Sequence, residues 1–188
     1  MSFGEEQGAR EFLTRVEFSP EEAHRRFPNA RRLLWQGIFI SHSGRDFHRI
    51  MRGIVHPVVG GLIRGEGYFV HSRLSRGAEG YRQLVQAALH WCDKFMVVIS
   101  EHSIVNEWVV AEVEWAIRRN RPMVAVRLDA HEWTEIVQRL GLTPEAIPVV
   151  PVFDFSRDDA IAKRALRRYL KTMLGEFPQG VSPLFTGE

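Results

Sequence analysis

From residue 37 onward, apolar positions alternate between two spacings. "GIFIS" (37–41) is a short apolar run. "DFHRIMRGIVHPVVGGLI" then places Phe47, Ile50, Met51, Ile54, Val55, Val58, Val59, Leu62 and Ile63 at helical intervals. Pro57 is expected to kink or split that helix, because proline lacks the N–H and crowds the preceding turn. "YFVHS" (68–72) reads as a second strand, and "GYRQLVQAALHWC" as a second helix through Leu84, Val85, Ala88, Leu89 and Cys92. "KFMVVIS" (94–100) is the third strand and the most apolar. "NEWVVAEVEWAIRRN" (106–120) is a helix and "PMVAVRL" a fourth strand. "EWTEIVQRLG" is a short helix ended by Gly141, "VVPVFDF" a fifth strand, and "RDDAIAKRALRRYLKTML" the last helix.

Strands alternating with helices predict a parallel sheet covered on both faces. Runs such as "FMVVI" agree, since strands buried on both sides lose the polar alternation. With right-handed crossovers, the simplest topology is an α/β, flavodoxin-like, doubly wound sheet of five parallel strands. Ligands in such folds sit beyond the carboxyl ends of the strands. Residues 37–175 form this unit. Residues 1–36 are rich in Arg and Glu, and "SPEEAHRRF" carries a helix start, with Ser19 as cap, Pro20 at the first helical position and Glu22 completing a capping box. They read as a helical extension, and 176–188 as a C-terminal tail.

Composition narrows the class. The 188 residues are 45% apolar and 26% charged, as in a soluble globular protein. Basic residues number 25 against 23 acidic, a net charge of +2, which gives no ground for nucleic-acid binding. No apolar run approaches a membrane span, and "MSFGEEQGAREF" has no apolar core of a secretory signal. The single cysteine, Cys92, cannot pair within the chain, so the default compartment is the reducing cytoplasm.

Several chemistries are excluded. Strand three ends in Ser100 where a phosphoacceptor receiver needs Asp. No Gly-Lys-Ser/Thr loop and no Gly-x-Ser-x-Gly elbow occur. Gly65-Glu66-Gly67 precedes a strand, whereas a dinucleotide fingerprint follows one. "HEWTE" (131–135) ends in Glu where a zinc-protease helix needs His, and one Cys with scattered His does not make a zinc site.

What remains is polar material at strand ends: Ser41, His42 and Ser43 after strand one; Arg73 and Arg76 after strand two; Ser100, Glu101, His102 and Ser103 after strand three. "SHSGRD" can be one lip of a pocket, the cap of the first helix (Ser43 and Asp46 have capping-box spacing), or both. In the third helix Trp108 and Glu112 share a face, four residues apart. A helical wheel places Val109, Val113, Ala116 and Ile117 in the core and Glu114 in solvent. Glu112 falls at the core's edge, over Trp108 and flanked by Trp115. The basic stripe Lys163, Arg164, Arg167, Arg168 and Lys171 faces away from Ile161, Leu166, Tyr169, Leu170 and Met173 and reads as a solvated surface.

The ordered pair of "FISHS" and a Ser100-loop-Trp108-x-x-x-Glu112 segment, set in this alternation, resembles the TIR (Toll/interleukin-1 receptor) domains, particularly the bacterial type, over residues 37–175. The chain departs from the family pattern at Asn106, where Ser is usual, at Val109, where Cys is common, and after strand two, where "VHSRLSRGAEG" lacks a frequent Asp. The resemblance implies cleavage of the nicotinamide–ribose bond of NAD⁺, a substrate rather than a cofactor, giving nicotinamide and ADP-ribose or a cyclic isomer. It assigns the catalytic carboxylate to Glu112. An ionised carboxylate suits that role, because bond cleavage builds positive charge on the ribose and the helix N-terminus favours the anion. Trp108 then stacks on a substrate face, Ser41, His42, Ser43 and Ser100 line the ribose and phosphates, and Arg73 pairs a phosphate. No metal is implied. A stand-alone chain of this kind resembles bacterial anti-phage components that make a nucleotide signal for a companion effector. Two other functions stay open: a non-catalytic adaptor that self-associates through the Ser72–Gly80 loop, and an enzyme resembling nucleoside deoxyribosyltransferases.

Overall fold

Ile38–Ser41 forms strand β1 in a computed structural model of the chain. The structure describes residues 37–59, 62, 68–69, 81–92, 94–157 and 160–174, together with 8, 9, 11, 13 and 25. The other strands are β2 (Tyr68–Phe69), β3 (Lys94–Ile99), β4 (Met123–Arg127) and β5 (Val152–Asp154), in the sheet order β2-β1-β3-β4-β5. Every pairing is parallel. β2 has two described residues and is the slightest strand. β1 meets β3 in the register Ile38↔Lys94 to Ser41↔Val97, which brings the polar segments after both strands to one edge.

The helices are α1 (Phe47–Ile50), continued directly by a π-helical segment (Met51–Val59), then α2 (Tyr81–Trp91), α3 (Glu107–Arg118), α4 (Trp133–Gln138) and α5 (Ala160–Leu174). Pro57 lies inside the π-helical segment and does not split the helix. The wider turn takes up the missing N–H that would otherwise break an α-helix. Gly141, three residues past α4, has φ +63°, a left-handed conformation that glycine adopts without a Cβ penalty and that stops the helix as its sequence position predicts.

Strand side chains alternate between two buried layers. Phe39, Phe95, Val97 and Ile99 pack under α2, α3 and α4, with Phe39 and Phe95 stacked at 5.7 Å between centroids. Ile38, Ile40, Met96, Val98, Val124 and Val126 pack under the α1 region and α5. Both faces of the sheet are therefore dry, the physical reason that its strands read as continuous apolar runs. Among the described residues, no helix is long and apolar enough to cross a membrane.

Two side chains depart from the helical-wheel expectation. Glu114, expected in solvent, is only 8% exposed, and its Oε1 accepts from the Arg118 guanidinium in an ion pair at 2.7 Å. The guanidinium one turn on, at i+4, pairs with that carboxylate oxygen. Ile161, expected on the apolar face of α5, is exposed, while Leu166 and Leu170 carry the packing.

Of the extension, the described positions 8, 9, 11, 13 and 25 are helical. Ala9 and Leu13 are buried in the same layer as Phe39, Val85 and Leu89. The Ser19–Glu22 capping box and the 176–188 tail lie outside the described residues. If Leu13 belongs to the core, Leu13→Ala lowers stability by about 2–4 kcal/mol in urea unfolding. A change near zero would show that the N-terminal segment does not dock.

Candidate functional site

At the carboxyl edge of β1 the polypeptide turns from sheet to helix through Ser41, His42 and Ser43, all buried. Ser41 follows Phe39 on the α3 side of the sheet, and its Oγ donates to Glu112 Oε2 at 2.5 Å. Nδ1 of His42 donates to the Ser43 carbonyl at 2.7 Å, and its ring lies 6.1 Å from that of Phe47. Ser43 caps a single 3-10 turn, Gly44–Asp46, its Oγ accepting from Arg45 N–H at 3.4 Å.

Asp46 does not complete the capping box that its spacing predicts. Its side chain crosses to the neighbouring strand end, where Ser100 Oγ donates to Asp46 Oδ2 at 2.5 Å. Ser100 also accepts from the N–H groups of His102 (3.2 Å) and Ser103 (3.0 Å), and its own N–H donates to Ser103 Oγ at 2.7 Å. These bonds wind the residues after β3 into a tight turn. Arg139 braces that turn from the α4 side by donating to the Ile104 carbonyl at 2.6 Å. Asn106 then starts α3: its Oδ1 accepts from the N–H groups of Trp108 (3.0 Å) and Val109 (3.3 Å). The family's usual Ser and this Asn are both good N-cap residues, so the departure preserves the helix start.

Glu112 is the centre of the arrangement. It is 2% exposed, and burial pushes its carboxyl from its ordinary value of 4.5 up to about 8, against the opposing effect of the Ser41 hydrogen bond. The carboxyl is therefore mostly protonated at neutral pH, not held ionised by the helix N-terminus. Glu112 lies five residues beyond the first residue of α3, in the second turn, and the helix dipole acts chiefly within the first. Desolvation wins at that depth. Trp108, one turn ahead, is half-buried and packs against the α2–α4 layer. Trp115 lies three residues beyond Glu112 along the same helix. It meets His90 edge-on at 5.0 Å, with the Arg119 and Arg121 guanidiniums 5.7 and 5.6 Å from its ring.

The TIR domain family model matches residues 38–169, so the chain belongs to the TIR domain family. Among solved structures it is similar to the TIR domain of the Toll-related receptor TRR-2 from Hydra magnipapillata. That match has a TM-score of 0.52 and 13% identity, covering 73% of this chain and 96% of that one, a likeness in fold. No curated protein matches the sequence.

The structure thus brings Ser41, His42, Ser43, Ser100, Trp108 and Glu112 to one edge and one helix start. Arg73, Arg76 and the Ser72–Gly80 loop lie outside the described residues. Sequence spacing assigned Asp46 a local cap and missed its bond to Ser100. The signal that finds it is topological: β1 and β3 are neighbours, so an Asp shortly after one and a Ser ending the other fall within reach.

The raised carboxyl has a consequence for stability. The unfolded chain releases this proton near 4.5, while the folded chain holds it to about 8. Stability linked to the neutral carboxyl is complete below about pH 4.5 and is lost as pH rises through about 8. The loss is on the order of a few kcal/mol. Glu112→Gln keeps an acceptor for Ser41 and removes the titration. It should melt above wild type at pH 8.5 and alongside it near pH 4.5. A parallel pH dependence in both proteins would place the Glu112 carboxyl in water.

Proposed function

We propose that this TIR domain is an NAD⁺ glycohydrolase or cyclase in which Glu112 is the catalytic carboxylate. One observation carries the reading: a carboxyl is buried at the carboxyl edge of a doubly wound sheet, tied to the Ser41 hydroxyl at 2.5 Å where ligands of such folds bind. In the reaction the C1′–N bond breaks with its electron pair passing to the pyridinium nitrogen. Neutral nicotinamide leaves, and the ribose becomes oxocarbenium-like. Water adds its oxygen at C1′ and releases a proton, giving ADP-ribose; attack by a nucleophile of the same molecule gives a cyclic isomer.

Glu112 stabilises that cation in its ionised form. The positive charge of the nicotinamide-ribose itself drives the ionisation, because a nearby cation lowers a carboxyl's pKa. Since Glu112 is buried at rest, the groups covering it shift before a ribose reaches it. Trp108 offers an indole face for the nicotinamide, and Ser41, His42, Ser43 and Ser100 offer polar atoms for the ribose and phosphates. In this reading Arg73 pairs a phosphate, the protein works in the cytoplasm in anti-phage signalling, and a companion effector responds to the nucleotide product.

A second reading has support in the same contact. A fully buried, hydrogen-bonded Glu112 also suits a structural residue of a non-catalytic adaptor that self-associates through residues 72–80. The nucleoside-transferase reading has only the shared architecture behind it.

Incubation of the purified chain with NAD⁺, also at high concentration or with a crowding agent, should release nicotinamide measurable by chromatography. Glu112→Gln should lower that rate by about 100-fold or more. The kcat/KM of wild type should rise with pH with its midpoint near 8, where the free carboxyl is half ionised, and level off above it. Absence of turnover in every condition, with assembly abolished by changes in 72–80, would establish the adaptor instead.

A further inference from the structure

On the opposite side of the sheet from Glu112 lies a second cleft, of about 560 Å³, between the α1 region and the segment that follows β5. Its floor is apolar: Ile54, Leu128 and Phe155 are buried members of the layer under α1 and α5. Its rim is cationic. Arg49 and Arg52 stand on the α1 side, and Arg157 stands on the β5 side. Lys163, which the sequence places on a solvated stripe, also lines it.

The neighbouring carboxylates are already engaged. Asp154 accepts from Arg127 at 2.6 Å and from Ser156 N–H at 2.8 Å. Asp129 accepts from the N–H groups of Glu101 and His131. Among the described residues, neither Arg52 nor Arg157 has an ion-pair partner. One guanidinium nitrogen of Arg49 donates to the Leu128 carbonyl, which fixes that side chain at the cleft and leaves its other N–H groups available. Gly53, the residue after Arg52 in the π-helical segment, leaves the wall low: a Cβ there would meet nothing within 4 Å.

We propose that this cleft binds a small ligand carrying a diphosphate, of nucleotide size. Like charges held on two walls are stabilised by an anion that reaches both, and guanidiniums match phosphate oxygens two at a time. The volume falls within the range of sites for ligands of that size, and the apolar floor accepts a ring or an aliphatic portion beside the phosphates. The site is separate from the Glu112 edge, so it stands or falls independently of NAD⁺ cleavage.

Titration calorimetry of the full chain with ADP, pyrophosphate and adenosine tests it, on wild type, Arg52→Glu, Gly53→Leu and Glu112→Gln. ADP should bind wild type and Glu112→Gln alike, and pyrophosphate but not adenosine should displace it. Arg52→Glu should weaken ADP by about tenfold or more, the loss of a charged hydrogen-bonding partner. Gly53→Leu should do so by filling the cleft. It meets open space, so a melting temperature close to wild type shows that the fold is intact. Asp158 and Asp159 adjoin Arg157 in sequence and lie outside the described residues, so the charge test uses Arg52 on the other wall. The proposal is overturned if ADP does not bind, if adenosine displaces it as well as pyrophosphate does, or if binding survives both Arg52→Glu and Gly53→Leu. Loss in Glu112→Gln alone would put ADP at the other edge and equally overturn it.

Discussion

A carboxyl group taken out of water must find hydrogen-bond donors or keep its proton, because an unpaired buried charge costs several kcal/mol. The carboxyl edge of this sheet is organised by that constraint, applied twice. Asp46 and Glu112 are both buried, and each receives a serine hydroxyl at 2.5 Å from a central strand end or the residue just beyond it. Ser41 ties β1 to α3, and Ser100 ties the end of β3 back to the turn after β1. The two bonds cross-link the neighbouring strand ends with the elements that follow them. The positions of Trp108 and the Asn106 cap follow from where those ties place the start of α3.

The two acids sit in different surroundings. Ser100 is itself held by two backbone N–H groups, within a turn that Ser103 closes, so the Asp46 bond belongs to a satisfied network. Among the described residues Glu112 has one hydrogen-bond donor, Ser41, and burial dominates its chemistry. A group that keeps its proton only because water is excluded is poised to change state when a cation arrives or its cover moves. That poise makes Glu112 a candidate for chemistry rather than only for packing.

Much of the architecture could be read from spacing alone. The continuous apolar strands announced burial on both faces, and Gly141 marked a helix end because the left-handed turn after α4 favours glycine. The "FISHS" segment and the Trp108–Glu112 pair pointed to the edge where the polar residues gather. Failures arose where tertiary contacts override local rules. Asp46 sits at capping distance from Ser43, yet a partner on the adjacent strand outcompetes the backbone amide. Glu114 falls on the solvent side of a wheel, yet it is buried and paired with Arg118. Dipole reasoning predicted an ionised Glu112, but its depth in the second turn gives desolvation the larger share. The cationic cleft left no mark in the sequence, because Arg49, Arg52 and Arg157 converge only when the segment after β5 comes to face the α1 region.

The central claim is that Glu112 is a neutral carboxyl at rest that ionises beside a cationic substrate. Carbon-13 NMR of glutamate-labelled protein, with the Glu112 signal assigned from Glu112→Gln, follows its titration directly. The account predicts a midpoint near 8 in the free protein and a clear fall when NAD⁺ is added at a temperature that slows turnover. A Glu112 signal that titrates near its ordinary 4.5 in the free protein, or that NAD⁺ leaves unmoved, would contradict it.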